Sequence, residues 1–285
     1  MKYVIFDCDN TMGLPFKEVD DGLTLLYLLG RPDIEVLGIT TTFGNGSVDQ
    51  SVAQSRKLLA QVGRPDIPVY SGAYARYAPP TDAARFLAES AMMRPGEISL
   101  LATGPLGNLR GAAELDRQFF ANLKEIACMG GYLEPLRIGK RNIPELNLSA
   151  DPEASYQVLN ADCPVTLMNA HVCLQAAITK EDIANLDFWP RKTRRIMRRW
   201  LMVFGLFCGV PEFYLWDLLP AVYLSHPDLF TQERVEIAST VKDLERGTLK
   251  IVEREFDEGV VMPSKIKEIA RFMSILMEAW KASGI

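Results

Sequence analysis

The sequence predicts an α/β fold, an open and mainly parallel β-sheet flanked by helices, and three observations point there. Short apolar, β-branched runs alternate with stretches of helical periodicity. Almost every such run stops at small or polar residues. Four carboxylates, Asp7, Asp9, Asp20 and Asp21, gather within fifteen residues where the first run ends.

The elements follow in chain order. Tyr3-Val4-Ile5-Phe6 reads as a buried first strand that delivers Asp7 and Asp9 to its C-terminal edge. Side chains alternate with period two, so these two acids share a face and Cys8 points away. Residues 10–19 then form a loop, and an apolar helix starts after Asp20-Asp21-Gly22. Further strands are predicted at 35–43, 67–70, 98–102, 125–129 and 164–168, with helices at 48–62 and 80–93. Right-handed crossovers between such strands give a parallel sheet. The small and polar ends (Gly44-Asn45-Gly46, Ser71-Gly72, Thr103-Gly104-Pro105, Gly130-Gly131, Asn169-Ala170) then line up along one edge and form the site. After residue 232 the pattern changes to a hairpin, 234–240 and 248–252 about a turn at Arg246-Gly247. Pro263 and Ser264 open a final helix with Ile266, Ile269, Met273, Leu276 and Trp280 on one stripe.

Composition excludes several classes. With 285 residues, 48% of them hydrophobic, the chain can bury one large core or two smaller ones, and it shows no linker or repeat. A net charge of −5 argues against a nucleic-acid surface. The exception is the basic stretch 191–199, read as a solvated helix face, a subunit contact or an anion site. No apolar run reaches the roughly 20 residues that span a bilayer, and the first residues do not form a signal peptide. Five cysteines without a CxxC pair fit reduced, mostly buried thiols in a cytoplasmic protein.

Repelling acids need a shared proton or a cation, and a hard oxygen-seeking ion such as calcium or magnesium suits them. Asp217 stands nearly alone in an apolar stretch, as a helix cap before Pro220 or as a metal ligand. Asp151-Pro152 is a cap with proline at the first helical position. Glu145 and Asn147 fall on one side of an extended segment, where they could hold sugar hydroxyls. Thr103-Gly104-Pro105-Leu106-Gly107-Asn108 reads as a tight strand-to-helix turn or a phosphate cradle. The two histidines, His171 and His226, read as structural, and no GxSxG motif is present.

Together these pieces resemble the inosine–uridine-preferring nucleoside hydrolase family. Asp7-Cys8-Asp9 and Asp20-Asp21 resemble the two halves of its DxDxGxDD motif. The segment 39–45 is similar to its second strand end, 101–109 to its TGPLTN segment, Met129-Gly130-Gly131 to its MGG turn, and Glu145-Leu146-Asn147 with 151–154 to EFN…DPEA. Trp216-Asp217 takes the place of its late aspartate motif, with tryptophan where a histidine is common, as in the purine-specific branch. The similarity runs from residue 3 to about 230. Three departures stand out: the inserted loop 10–19, tyrosines in 70–86 where the family carries a histidine segment, and a segment 137–143 that does not reproduce the family's asparagine for the 5′-hydroxyl.

The resemblance implies a single Rossmann-like domain over 1–285 that hydrolyses the N-glycosidic bond of ribonucleosides with calcium. It implies calcium on Asp9, Asp21, Asp217 and the Thr103 carbonyl, with Asp9 also the base. Asp20 and Asn147 would hold the ribose 2′ and 3′ hydroxyls, and Asn45, Met129 and Glu145 would complete the sugar pocket. Trp216 would stack the base and favour purines. A nucleoside substrate and a cytoplasmic homodimer or homotetramer complete the expectation. Two other readings are a haloacid-dehalogenase-like phosphatase with Asp7 as nucleophile, and a ribosyl-binding protein without catalysis.

Overall fold

The computed structural model describes residues 1–253 and 259–285. Its strands are β1 (Lys2–Cys8), β2 (Ile34–Thr41), β3 (Val69–Tyr70), β4 (Ile98–Ala102), β5 (Glu125–Met129), β6 (Arg137–Ile138), β7 (Arg141–Asn142), β8 (Val165–Met168), β9 (Ala177–Thr179), β10 (Glu212–Tyr214), β11 (Arg234–Ile237), β12 (Ile251–Glu253) and β13 (Val260–Val261). Nine of them form one sheet in the order β12-β11-β13-β8-β5-β4-β1-β2-β3. From β13 to β3 every pairing is parallel, while β11 runs antiparallel to both β12 and β13. β1 therefore sits between β2, which follows it, and β4, which comes later. This is the point where strand order reverses and the crevice beyond the carboxyl ends opens.

β4 and β5 match the predicted spans because both lie wholly inside the parallel sheet, where an apolar run needs no alternation. β1 is longer than predicted and runs to Cys8, so Asp7 lies within the strand and only Asp9 lies past its end. Helices Val48–Gln61 and Asp82–Met93 occupy the predicted stretches, each started by a hydroxyl cap, Ser47 and Thr81.

The region after residue 230 differs from expectation. Strands β11 and β12 do pair, but helix Val241–Leu244 and the turn at Gly247 lie between them, and both strands extend the main sheet. The final helix starts at Ile269, not at Pro263. Ser264 is instead tied to Thr231 and Glu233, and Ile266 makes a bridge with Phe230. Asn147 is also not in an extended segment: it opens helix Asn147–Ala150.

Two packing features position the site. Met12, in the inserted loop, lies directly over Gly22, so a side chain at residue 22 would collide with it. The last helix docks on helix Asp20–Leu29, where the Trp280 indole donates to the Leu23 carbonyl at 2.9 Å. The basic stretch forms the first half of helix Arg191–Cys208, with Arg191, Lys192, Arg195 and Arg198 exposed. No helix among the described residues is long and apolar enough to cross a membrane. All five cysteines are free thiols.

Candidate active site

The acids that the sequence singled out meet at the carboxyl ends of β1 and β4. Asp9, Asp20, Asp21 and Asp217 are each at most 4% exposed. The carboxyls touch in pairs, Asp9 with Asp21 and Asp20 with Asp217. Asp20 and Asp21 reach the site because they open helix Asp20–Leu29. Asp217 stands at the N-terminal boundary of helix Leu218–Ser225, yet its side chain caps nothing and faces the other acids. The helix-cap reading of Asp217 thus fails, whereas Asp151 does cap helix Pro152–Leu159 through the Ala154 N–H.

Few donors support these acids. Asp21 Oδ1 accepts from the Thr103 hydroxyl at 2.7 Å, and Asp9 Oδ2 accepts the Asn45 N–H. Asp9 Oδ1 and both oxygens of Asp20 are buried without a partner. Burial is the main reason that the Asp9 carboxyl is pushed up to about 6 and that of Asp20 to about 7. Burial and the neighbouring acids hold Asp21 and Asp217 well above the usual carboxylate range. Gly44 makes the Asp9–Asn45 contact possible, because a Cβ there would collide with Asp9 Oδ2.

Asp7 is held differently. It is fully buried in β1, where its Oδ2 accepts from Thr40 at 2.6 Å and from Asn108 at 2.7 Å. Burial pushes it up to about 7. Its place within the strand, tied by Thr40 and Asn108, suits an anchoring carboxyl better than a phosphatase nucleophile that must face its substrate. Asn108 also accepts the Ala73 N–H, so the TGPLGN segment is a tight turn stitched to the floor of the sheet.

Above the acids is a cavity of about 430 Å³. Asp20, Asn45, Thr103, Met129, Glu145, Asn147, Trp216 and Asp217 line it, while Asp9 and Asp21 lie beneath this lining. Asn147 Nδ2 donates to the Thr103 carbonyl at 2.8 Å and to the Met129 carbonyl at 3.1 Å, which leaves its own oxygen as an acceptor. The Glu145 carboxylate accepts the N–H groups of Gly131, Leu148 and Ser149 and so braces the wall. His171 contacts the Glu134 carbonyl, His226 has no side-chain partner, and neither lines the cavity.

The opposite wall is apolar: Tyr132, Leu136, Ile143, Trp200, Phe204 and Phe207 join Trp216. Rings touch in series, Trp200 to Phe204 at 5.7 Å, Phe204 to Tyr214 at 6.0 Å and Tyr214 to Trp216 at 5.5 Å between centroids. Sequence reading missed this wall, although Trp200, Phe204 and Phe207 recur at helical spacing. It also missed Glu18, in the inserted loop, which lines the cavity and accepts from Asn45 Nδ2 at 2.9 Å.

Among the described residues, no group of three or more His, Cys, Asp or Glu stands arranged to hold a metal ion. The donors nevertheless fit a hard cation: all are oxygens, most are carboxylates, and the orphaned oxygens of Asp9 and Asp20 lack any protein partner. The Thr103 carbonyl keeps a lone pair beyond the Asn147 bond.

Comparison with known proteins agrees with the geometry. The family model of inosine-uridine preferring nucleoside hydrolases matches residues 4–271. Uridine nucleosidase 1 of Arabidopsis thaliana is 29% identical over 252 residues, covering 76% of this chain and 74% of that protein. The pyrimidine-specific ribonucleoside hydrolase RihA of Shewanella sp. (strain MR-7) is 25% identical over 283 residues, covering 84% and 86%. The structure of a purine-preferring ribonucleoside hydrolase from Gardnerella vaginalis superposes with a TM-score of 0.84 at 22% identity, over 99% of each chain. With its acids at the strand-order switch, its cavity above them and a match along nearly its whole length, the chain belongs to the inosine-uridine preferring nucleoside hydrolase family of enzymes.

Proposed function

We propose that this nucleoside hydrolase works with calcium and prefers purine ribonucleosides. One observation carries both parts: partnerless buried carboxylate oxygens lie at the floor of a cavity whose far wall is aromatic. Asp9, Asp21, Asp217 and the Thr103 carbonyl would hold the calcium, which when bound acidifies a water and grips the ribose diol. The remaining chemistry falls to the chain itself. Asp9, fixed through Oδ2 by the Asn45 N–H, keeps Oδ1 free to take a proton. Asp20 and the Asn147 oxygen accept from the sugar hydroxyls and hold the ribose over the acids. The carboxylates then stabilise the positive charge that develops at C1′ as the base departs.

The base is expected against Trp216. Relatives differ in the base they are named for, uridine, pyrimidines or purines. Here an indole braced by Tyr214 and Phe204 offers a stacking face, and stacking contributes about 1–3 kcal/mol per base. A purine uses that face more fully than a pyrimidine.

The test is a nucleoside panel scored for released ribose. Activity should vanish on chelation and return with calcium. Inosine or guanosine should exceed uridine in kcat/KM by roughly tenfold, about 1.4 kcal/mol, and Trp216→Ala should erode the purine rates more. Equal rates on inosine and uridine would end the purine assignment, and full activity in chelator would end the calcium one.

A further inference from the structure

The inserted loop 10–19 is clasped to the site at several points. Asn10 Nδ2 donates to Ser55 Oγ at 3.2 Å, and its Oδ1 accepts the Met12 N–H at 2.9 Å. The Thr11 hydroxyl donates to the Glu18 carbonyl at 3.2 Å, and Met12 is pressed over Gly22. At the far end Lys17 Nζ donates to the Asn45 carbonyl at 2.5 Å while Glu18 Oε2 accepts the Asn45 side-chain amide. The loop thus grips Asn45 from its main chain and its side chain together, and Asn45 in turn donates its N–H to Asp9.

That grip has a chemical consequence. A carboxylate only accepts, so the Asn45 side chain must turn its NH₂ to Glu18 and keep its oxygen elsewhere. Glu18 spends one oxygen on Asn45, and its other oxygen has no hydrogen-bond partner among the described residues although the residue lines the cavity. The cavity lining at this corner is therefore rich in acceptors, the free Glu18 oxygen, Asn45 Oδ1 and the Asp20 carboxyl, while the Lys17 ammonium stays behind it on the Asn45 carbonyl. Asp20 and Asp9 act on Glu18 as like charges and Lys17 as an opposite one, and with Asp20 Glu18 lines the cavity over the acidic floor.

We infer that Glu18 is a specificity-determining residue of the nucleoside site, whose free carboxylate oxygen accepts a hydrogen bond from a sugar hydroxyl of the substrate. The inference rests on the nucleoside hydrolase reading above and adds a sugar contact supplied by this chain's inserted loop. The ligand it selects is an uncharged ribonucleoside with its hydroxyls free, and a phosphate ester at that hydroxyl is repelled.

The experiment compares wild type, Glu18→Ala, Glu18→Gln and Glu18→Asp on inosine and on its 2′-, 3′- and 5′-deoxy analogues, with calcium present. Glu18→Ala should raise KM for inosine tenfold or more and change kcat less. For one deoxy analogue, the one lacking the partner hydroxyl, wild type and Glu18→Ala should be alike. Glu18→Gln bonded to Asn45 through its oxygen turns an NH₂ toward the cavity, from which the hydroxyl can accept but without the charge-assisted bond, so this near-isosteric variant should lose a measurable part of the affinity. Glu18→Asp, which restores the charge, should recover part of the loss. Melting temperatures of all four proteins verify folding. Equal loss on every analogue, or a Glu18→Gln protein with wild-type KM, overturns the inference and leaves the loop a merely structural clasp. Wild type that releases no ribose from any nucleoside instead overturns the functional reading, and the inference with it.

Discussion

Two buried clusters of charge in this protein are built on opposite terms. Around Asp151 every polar atom is matched. Its Oδ1 accepts the Ala154 N–H, and its Oδ2 accepts Arg110 Nε at 3.3 Å and the Tyr77 N–H. Arg110 in turn reaches Glu114 and the Ala78 carbonyl. At the floor of the cavity the acids meet one another, Lys17 draws Asp9 back down, and oxygens of Asp9 and Asp20 lack a partner among the described residues. A buried charge without a partner costs several kcal/mol, so the first cluster is complete within the chain and the second is completed from outside. On the proposed function, the contrast separates an ion pair that holds the fold from a carboxylate group that holds a reaction.

Three measurements sharpen or break that contrast. The largest effect is expected from Asp9→Asn, which keeps the shape and removes the base: turnover of nucleoside should fall by about a thousandfold or more, with melting temperature unchanged or raised. Near-wild-type turnover in this variant would remove Asp9 from the chemistry. Arg110→Ala reverses the pattern. It leaves Asp151 buried and unpaired, which should cost about 3–5 kcal/mol and lower Tm by roughly 10 °C, while the folded fraction keeps its kcat. If Arg110→Ala melts like wild type, the Asp151 cluster is not the fold-holding one.

The smallest effect is a pH dependence of the metal-free protein. Carboxyls raised to about 7 (Asp7), about 6 (Asp9) and about 7 (Asp20) bind more protons folded than unfolded. Their contribution is therefore present below the ordinary carboxylate pKa of about 4 and is lost as pH rises toward about 7. In chelator, Tm should fall by on the order of 5 °C between about pH 5 and pH 8, and calcium should flatten the slope. A Tm in chelator that rises over that interval would show that the acids are stabilised as anions by the protein alone.

What the sequence made legible follows the same division. Strands β4 and β5 could be read end to end because each is a mainly apolar run without helical periodicity, broken only by Ser99 and opened by Glu125, and Asp20-Asp21 stayed recognisable despite the inserted loop. Asp217 could not be resolved locally, since a cap and a ligand occupy the same position in sequence and only the facing acids decide. Glu18 was silent because its meaning depends on Asn45, which lies 27 residues away and meets it only in space. The last helix was misplaced because Pro263-Ser264 imitates a helix start, while the Ser264 bonds to Thr231 and Glu233 hold the chain in a turn until Ile269. The aromatic wall was passed over because Trp200, Phe204 and Phe207 follow a run of arginines that draws attention to charge.

The bond from Trp280 to Leu23 joins residues 257 positions apart and locks the helix that begins with Asp20 and Asp21. Those acids precede the indole that fixes their helix by most of the fold, so the contact forms only after the intervening sheet is in place. A chain cut within the final helix would keep every acid of the site and lose the contact that fixes their helix, so such a truncation should lower activity without touching a single residue of the cavity.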